Sequence, residues 1–396
     1  MTHALPETPD FDAYPTGRRV AGAAADGRGV NVTWDDGLES RYHVFWLREN
    51  APEADVTNPD SREQHLQLVD IPDDLTALSA RAGQAGELCV HWSTGQTSRY
   101  HPGWLRAYTH GAPEDQYALP PRETWDAGLA SSLPRFDGAG VLADADGERD
   151  RWAEALHVYG VALVEGLPAD PEMIFSVPSF LGPVRPTNFG PAFDVRSKAG
   201  ADVTSNAYTA MALPVHTDLC TREYKPGLQF LYCLENSADG GESELADGFR
   251  IAEAVRDRAP AAFDALTTIP VSYYSKASGS DYRWEKPMFA LDNAGAIDEI
   301  RWSPWLRAPA RLPFSDVDRL YEGLRAAFRI GDEPGFKVQI KLRPGDMLCF
   351  DNRRVLHGRL AYDPASGSRW LRGCYVEREE LHSRLRIMAR RRRAVA

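Results

Sequence analysis

The sequence predicts a mainly β protein with flanking helices, an antiparallel barrel or jelly roll preceded by a small β domain. Three observations carry this: a hairpin pattern that occurs twice near the amino terminus, two later blocks of short β-type runs broken by turn signals, and helical periodicity confined to the stretches around them. At 396 residues the chain is long for one ordinary domain and short for three, so a main domain and a smaller unit are expected. Hydrophobic residues at 43% and charged residues at 26% are globular averages, which excludes a disordered, collagenous or coiled-coil chain. The formal charge of -12 disfavours nucleic acid and anionic membranes as partners, because phosphate neutralisation needs a basic surface; a small-molecule substrate is expected instead.

The elements follow in order. Residues 30–48 alternate apolar and polar around Asp36-Gly37, the pattern of a tight hairpin, and residues 90–106 repeat the frame 58 positions later: Val32/Val90, Trp34/Trp92, Gly37/Gly95, Tyr42/Tyr100, His43/His101 and Trp46/Trp104. The two hairpins are expected to pack into one β domain, residues 1–115, with a tryptophan-rich core in which both histidines belong to structural Tyr-His pairs. Prolines and small or charged residues break every period near 111–135, placing a linker at 116–135 and the second domain at 136–396. That domain opens with a helix at 148–158, a strand at 160–166 and a helix at 170–181. Strands dominate 203–247 and 336–377, with helices between them at 247–266 and 315–330. Leu381, Leu385 and Met388 form a last helical stripe, and the cations at 390–393 read as its solvated end.

Two further properties concern the compartment. No apolar run reaches the ~18 residues of a membrane helix, and MTHALPETPD has neither the basic nor the apolar region of a signal peptide. Cys89, Cys220, Cys233, Cys349 and Cys374 are odd in number, widely spaced and free of a CxxC pair, which suggests no disulfide framework. A soluble protein of the reducing cytoplasm is expected.

The sharpest chemical signal is PVHTDLC, where His216 and Asp218 share a face if the stretch is extended. A third ligand is available in His357, which follows a turn in DNRRVLHGR and has no amphipathic pattern to explain it. Two histidines and a carboxylate with open positions form the facial triad of non-haem Fe(II) oxygenases, but zinc hydrolases use the same donors. An oxygenase using 2-oxoglutarate also needs an arginine to fork onto the distal carboxylate, helped by a hydroxyl. Arg369, twelve residues after His357, shares a strand face with Leu371, Gly373 and Tyr375, whereas Arg372 takes the opposite, surface face. Ser243, after the Gly240-Gly241 turn, is the candidate hydroxyl.

These residues lie in stretches that resemble the γ-butyrobetaine and trimethyllysine hydroxylase branch of the taurine-dioxygenase-type Fe(II)/2-oxoglutarate oxygenases. The matching stretches are WLREN at 46–50, HTDL at 216–219, PGLQFLYCL at 226–234, GGESELADGF at 240–249, KLRPGDMLCFDNRRVLHGR at 341–359 and SRWLRGCYVEREELHSRLRI at 369–387. The resemblance implies a double-stranded β-helix, iron on His216, Asp218 and His357, 2-oxoglutarate on Arg369 and Ser243, O2 as second cosubstrate, and a homodimer. It also implies an aromatic cage for a trimethylammonium group at Phe189, Phe193, Tyr208 and Tyr375, since such a cation is best held by aromatic faces. Strand parity with Arg369 supports Tyr375 independently.

Two departures bear on the reading. Where the family has three cysteines and a histidine for structural zinc, this chain has Ala51, Glu53, Val56 and Gln96, so its small domain is expected to fold without metal. Where the butyrobetaine enzymes have a tyrosine and asparagines for the substrate carboxylate, this chain has Leu219, Ser205 and WSPW at 302–305. Arg222 and Arg301 are candidate replacements. The expected activity is hydroxylation of an unactivated C–H bond of a small quaternary ammonium substrate, coupled to conversion of 2-oxoglutarate and O2 to succinate and CO2. The alternatives are a different amino acid or specialised metabolite as substrate, a zinc hydrolase on the same triad, and a barrel that binds a cationic metabolite without turnover.

Overall fold

The computed structural model describes residues 4–110, 119–196, 209–275 and 279–395. The chain divides into two compact units, Met1–Ala118 with Arg386–Ala396, and Leu119–Leu385.

The smaller unit is built twice over. Strands β1 (Val20–Asp26), β2 (Gly29–Trp34) and β3 (Glu39–His43) form one antiparallel sheet followed by helix α1 (Val44–Glu49). Strands β4 (Ala77–Ala82), β5 (Leu88–Trp92) and β6 (Thr97–Tyr100) repeat it, followed by α2 (Pro102–Ala107). Each hairpin turns on a glycine in the left-handed region, Gly37 at φ 83° and Gly95 at φ 89°, where a side chain would be strained. Each turn tryptophan is buried and donates its indole N–H to a serine hydroxyl six residues on, Trp34 to Ser40 at 2.8 Å and Trp92 to Ser98 at 2.9 Å. The tyrosines then cross between the copies: Tyr42 donates to the Leu105 carbonyl at 2.9 Å and Tyr100 to the Leu47 carbonyl at 2.7 Å. Trp46 and Trp104 stack with ring centroids 5.2 Å apart. His43 and His101 are helix caps, accepting from the Phe45 and Trp104 backbone N–H groups at 3.2 and 3.3 Å.

At the positions of the missing zinc ligands, Ala51 and Val56 lie in the apolar core, and Glu53 accepts a hydrogen bond from the Arg99 backbone at 2.8 Å. In the final turns of the last helix, Arg390 and Arg393 pair with the buried carboxylate of Asp12 at 3.4 and 2.8 Å.

The larger unit opens with β7 (Arg135–Asp137), α3 (Gly138–Ala143), α4 (Glu148–Tyr159) and β8 (Val161–Glu165). Helix α5 (Met173–Ser176), β9 (Phe193–Arg196), β10 (Leu213–His216), β11 (Leu228–Asn236), β12 (Asp239–Gly240) and β13 (Ser243–Asp247) follow. Helices α6 (Gly248–Arg258) and α7 (Pro260–Thr268) lead to two small hairpins, β14 (Val271–Tyr274) with β15 (Arg283–Lys286) and β16 (Phe289–Leu291) with β17 (Ile297–Ile300), and then to α8 (Phe314–Gly331). The chain closes with β18 (Lys337–Ile340), β19 (Met347–Asp351), β20 (Val355–Arg359), β21 (Tyr362–Asp363), β22 (Arg369–Val376) and α9 (Arg378–Val395).

Two sheets face each other, of strand order β7-β8-β19-β11-β22-β9 and β10-β20-β13-β18, antiparallel except for the β7–β8 pair. This is the double-stranded β-helix. Leu163, Leu231, Leu348, Phe350 and Leu371 of one sheet meet Leu245, Val338, Ile340 and Val355 of the other in the core between them. Alternate residues of the smaller sheet, Val215, Ala246 and Leu356, pack outward against α6, α7 and α8. Parity therefore sends Ser243, His357 and Arg359 inward from β13 and β20, and Arg369, Gly373 and Tyr375 inward from β22.

The expected segments need four corrections. Residues 119–135 belong to the larger unit and are no linker: Trp125, Leu129 and Leu133 are buried in the core between the sheets, and the Trp125 indole donates to the Tyr159 carbonyl at 2.7 Å. The prolines there break periodicity without preventing burial. Residues 386–396, expected in the oxygenase domain, cluster with the smaller unit. The helix expected over 247–266 is two helices, because Pro260 cannot continue the hydrogen-bond ladder and Ala259 before it turns to φ −146°. Pro178 likewise confines the helix expected at 170–181 to α5 and a single 3-10 turn.

Trp92→Ala removes a fully buried indole and is expected to cost ~3–5 kcal/mol, and Tyr100→Phe about 1 kcal/mol for the lost hydrogen bond. Urea denaturation of the full chain measures both. An unchanged unfolding midpoint for Trp92→Ala would contradict the duplicated core.

Candidate active site

The register of β10 against β20 sets His216 directly opposite His357, and β13 on the other side of β20 sets Leu245 opposite His357. The two imidazoles lie 4.3 Å apart by ring centroid. Asp218 joins them by a different route from the expected strand parity. Strand β10 ends at His216, and the chain turns: the Thr217 N–H donates to the Trp302 carbonyl at 2.8 Å, the Asp218 N–H to Asn352 Oδ1 at 2.7 Å, and Leu219 adopts φ 55°. Asp218 Oδ1 then lies 3.2 Å from His216 Nε2 and 3.8 Å from His357 Nε2. One ligand atom from each residue falls within 4.8 Å of the others, and no other group of metal-ligating side chains of this kind occurs among the described residues.

Neighbouring groups fix how these donors are presented. His216 Nδ1 is 3.0 Å from the Pro214 carbonyl, so this nitrogen carries the proton and Nε2 offers its lone pair to the cluster. Tyr375 donates its hydroxyl to Asp218 Oδ2 at 2.7 Å, leaving Oδ1 for the histidines. Asn352, fully buried, grips the Asp218 turn from both sides, accepting from its N–H and donating to its carbonyl at 3.3 Å. Burial favours the neutral Asp218 carboxyl, but the His357 and His216 imidazoles and the Tyr375 hydroxyl outweigh it and hold the group well below the ordinary carboxylate range. Burial, then the neighbouring His216, pushes His357 down to about 3, so it is a neutral lone-pair donor.

Arg369 points inward from β22 and is buried, its guanidinium making no hydrogen bond to any described residue; Arg372 faces outward and pairs with Glu172 at 3.4 Å. Ser243 is buried on β13. Tyr375 and Phe193 stack at 5.2 Å, 26° from parallel, and the pair explains Gly373: a Cβ there would sit 2.4 Å from the Phe193 ring that lies across it. Phe189 is 46% exposed on a turn and has no ring contact among the described residues. Tyr208 lies outside the described residues, as does Ser205.

Of the two spare arginines, Arg301 is committed to structure, donating to Glu299 at 2.5 Å and to the carbonyls of Cys220, Arg222 and Glu223. Arg222 is partly exposed, lies over the Tyr282 ring and donates to Asn188. Sequence reasoning missed three residues. Asn352 sits in a turn after β19, where asparagine is common and carries no signal of its own. Trp305 lies 4.7 Å from the His216 ring but was noted only as part of a departure from a family pattern. Arg359 shares the inward parity of His357, the same signal that singled out Arg369.

Residues 117–375 match the model of the taurine catabolism dioxygenase TauD, TfdA family. The chain belongs to this family. Residues 23–106 match the model of the amino-terminal region of gamma-butyrobetaine hydroxylase-like proteins. Gamma-butyrobetaine dioxygenase of a Pseudomonas species is 44% identical over 384 residues, 96% of this chain and 99% of that one. Trimethyllysine dioxygenase of Meyerozyma guilliermondii is 26% identical over 93% of this chain and 96% of its own. Gamma-butyrobetaine dioxygenase of Homo sapiens is 28% identical over 91% of this chain and 95% of its own. The protein is thus a dioxygenase dependent on Fe(II) and 2-oxoglutarate, which sets aside both the zinc hydrolase and the non-catalytic barrel.

Tyr375→Phe frees Asp218 Oδ2 to rotate. It is expected to weaken binding of a divalent ion by this dioxygenase by about 10- to 100-fold, measured by chelator competition with Fe(II) or Mn(II). Unaltered affinity would show that the hydroxyl does not orient the carboxylate.

Proposed function

We propose that this enzyme hydroxylates an unactivated C–H bond of γ-butyrobetaine or a close quaternary ammonium acid, with His216, Asp218 and His357 holding Fe(II) and Arg369 with Ser243 receiving the distal carboxylate of 2-oxoglutarate. The observation that carries the reading is the convergence of two imidazole Nε2 atoms on one carboxylate oxygen, inside a barrel that also buries an unspent guanidinium. The donors suit the metal: two imidazole nitrogens and one carboxylate oxygen, three in number, would leave positions for a chelating 2-oxo acid and O2. When bound, Fe(II) supplies O2 activation and the oxidative decarboxylation of 2-oxoglutarate to succinate and CO2 that drives hydroxylation.

The side chains supply orientation. Arg369 fixes the far end of the cosubstrate through a charge-assisted fork, and the buried Ser243 hydroxyl adds a hydrogen bond. Phe193 and Tyr375, with Phe189 and Tyr208, offer aromatic faces to a trimethylammonium group, each cation–π contact being worth roughly 0.5–2 kcal/mol. With Arg301 committed elsewhere, Arg222 is the residue assigned to the substrate carboxylate. The relative 44% identical over nearly the whole chain supports γ-butyrobetaine as the first substrate to try. Leu219, apolar directly after Asp218, favours as second choice an amino acid or specialised metabolite with a different far end.

The same reading places the enzyme in the cytoplasm, supported by five free, buried cysteines. Among the described residues no helix is long and apolar enough to cross a membrane. It also makes the enzyme a homodimer through the smaller unit, which exposes Leu68, Val69 and Leu78; light scattering tests this.

Anaerobic reconstitution with Fe(II) and 2-oxoglutarate, then exposure to air with a panel of betaines and amino acids, is expected to release succinate most strongly with a quaternary ammonium acid. His216→Ala and Asp218→Ala are each expected to abolish that release. Retained activity in either variant would end the assignment.

A further inference from the structure

We infer that Arg359 is a second cosubstrate-binding residue, joining Arg369 and Ser243 in one cradle for the distal carboxylate of 2-oxoglutarate. The inference rests on the proposed role of Arg369 and extends it to the residue that shares the inward face of β20 with His357.

Arg359 lies on β20 two residues beyond His357, on the inward face. Its ladder partner on β13 is Ser243, and residues directly opposite in an antiparallel pair project to the same side with Cβ atoms roughly 4.5–5.5 Å apart. The serine hydroxyl and the Arg359 stem are thus neighbours. Arg359 and Arg369 both lie against the same ring, their guanidinium carbons 5.0 and 5.8 Å from the Tyr362 centroid. Gly241 leaves the space: a Cβ there would stand 3.2 Å from Arg369 Cδ and 3.3 Å from its Nε.

The charge pattern sets these two arginines apart. Arg48, Arg301, Arg354 and Arg378 are also buried, and each has a carboxylate partner: Asp55, Glu299, Asp247 and Asp298. Arg359 and Arg369 are 5% and 7% exposed, form no ion pair among the described residues, and each keeps a buried Nε with no acceptor. Arg359 spends one nitrogen, Nη2, on the carbonyls of Thr209 and Met211, both at 2.7 Å, and its buried Nε has no acceptor. Burial, and then the charge of Arg359, pushes Arg369 down to about 10, the cost of two like charges held together without a counterion. The open guanidinium of Arg369 and the unpaired Nε–H of Arg359, both positive and beside a hydroxyl, are the complement of a carboxylate. A clamp on residues 209–211 alone requires only the one nitrogen already engaged.

The cradle makes cosubstrate choice a matter of the second carboxylate. The test compares 2-oxoglutarate with pyruvate, which has the chelating 2-oxo acid but no distal carboxylate, by anaerobic titration of the Fe(II)-loaded enzyme followed by its visible charge-transfer band. Arg359→Gln is expected to weaken 2-oxoglutarate by roughly 10- to 100-fold, the value of a charge-assisted bond, and to leave pyruvate unchanged. Arg359→Lys, which keeps the charge and loses the Nε donor, is expected to fall between, and serves alone if the glutamine variant does not fold. Equal weakening of both ligands would mean that Arg359 only braces the 209–211 segment, and would overturn the inference. So would a variant that discriminates as well as the wild type. If the wild-type enzyme itself binds the two ligands alike, the assignment of Arg369 fails as well.

Discussion

The cross-strand pairing of His216 with His357 is the constraint on which the rest of the site depends. In an antiparallel sheet a slip of one residue turns every side chain of a strand to the opposite face. Here it would send His357 and Arg359 into the helices and bring Leu356 and Gly358 into the cavity. The register is fixed from both sides, because β20 lies between β10 and β13, and because the outward residues Val215, Ala246 and Leu356 are locked under α6, α7 and α8. The helical layer thus has a chemical consequence although it adds no side chain to the cluster: it holds the parity of the strands that carry His216 and His357.

Asp218 shows a second kind of positioning. Its place comes from a turn fixed by backbone hydrogen bonds to Trp302 and by the two-sided grip of Asn352, with Leu219 in a left-handed conformation that costs a non-glycine residue about 1–2 kcal/mol. Tyr375 completes the arrangement and joins the two ends of the chemistry. Its hydroxyl holds the carboxylate while its ring stacks on Phe193, so the residue expected only as part of an aromatic wall also orients a donor.

Much of this was legible in the sequence wherever the signal is local. Strand alternation gave both amino-terminal hairpins, and the same alternation separated inward Arg369 from outward Arg372. His357 stood out because nothing amphipathic explained it. Contacts distant along the chain left no such mark. The Tyr375–Asp218 bond spans 157 positions, and the Asn352 grip spans 134. Trp125 was assigned to a linker because prolines and polar residues surround it, yet one indole is enough to anchor such a segment in the core. The extended conformation assumed around His216 paired it with Asp218 for an incomplete reason, since the strand stops before the aspartate.

The crossed tyrosine hydroxyls of the smaller unit have a meaning beyond stability. Tyr42 reaches the helix of the second copy and Tyr100 the helix of the first, while Trp46 and Trp104 share one stack between them. Each copy leaves its own hydrogen bonding unfinished and finishes that of its twin, as the halves of a twofold-symmetric assembly do. This unit is in effect a pair of subunits fused end to end, and its sequence is free to drift in one half only so far as the other half still recognises it.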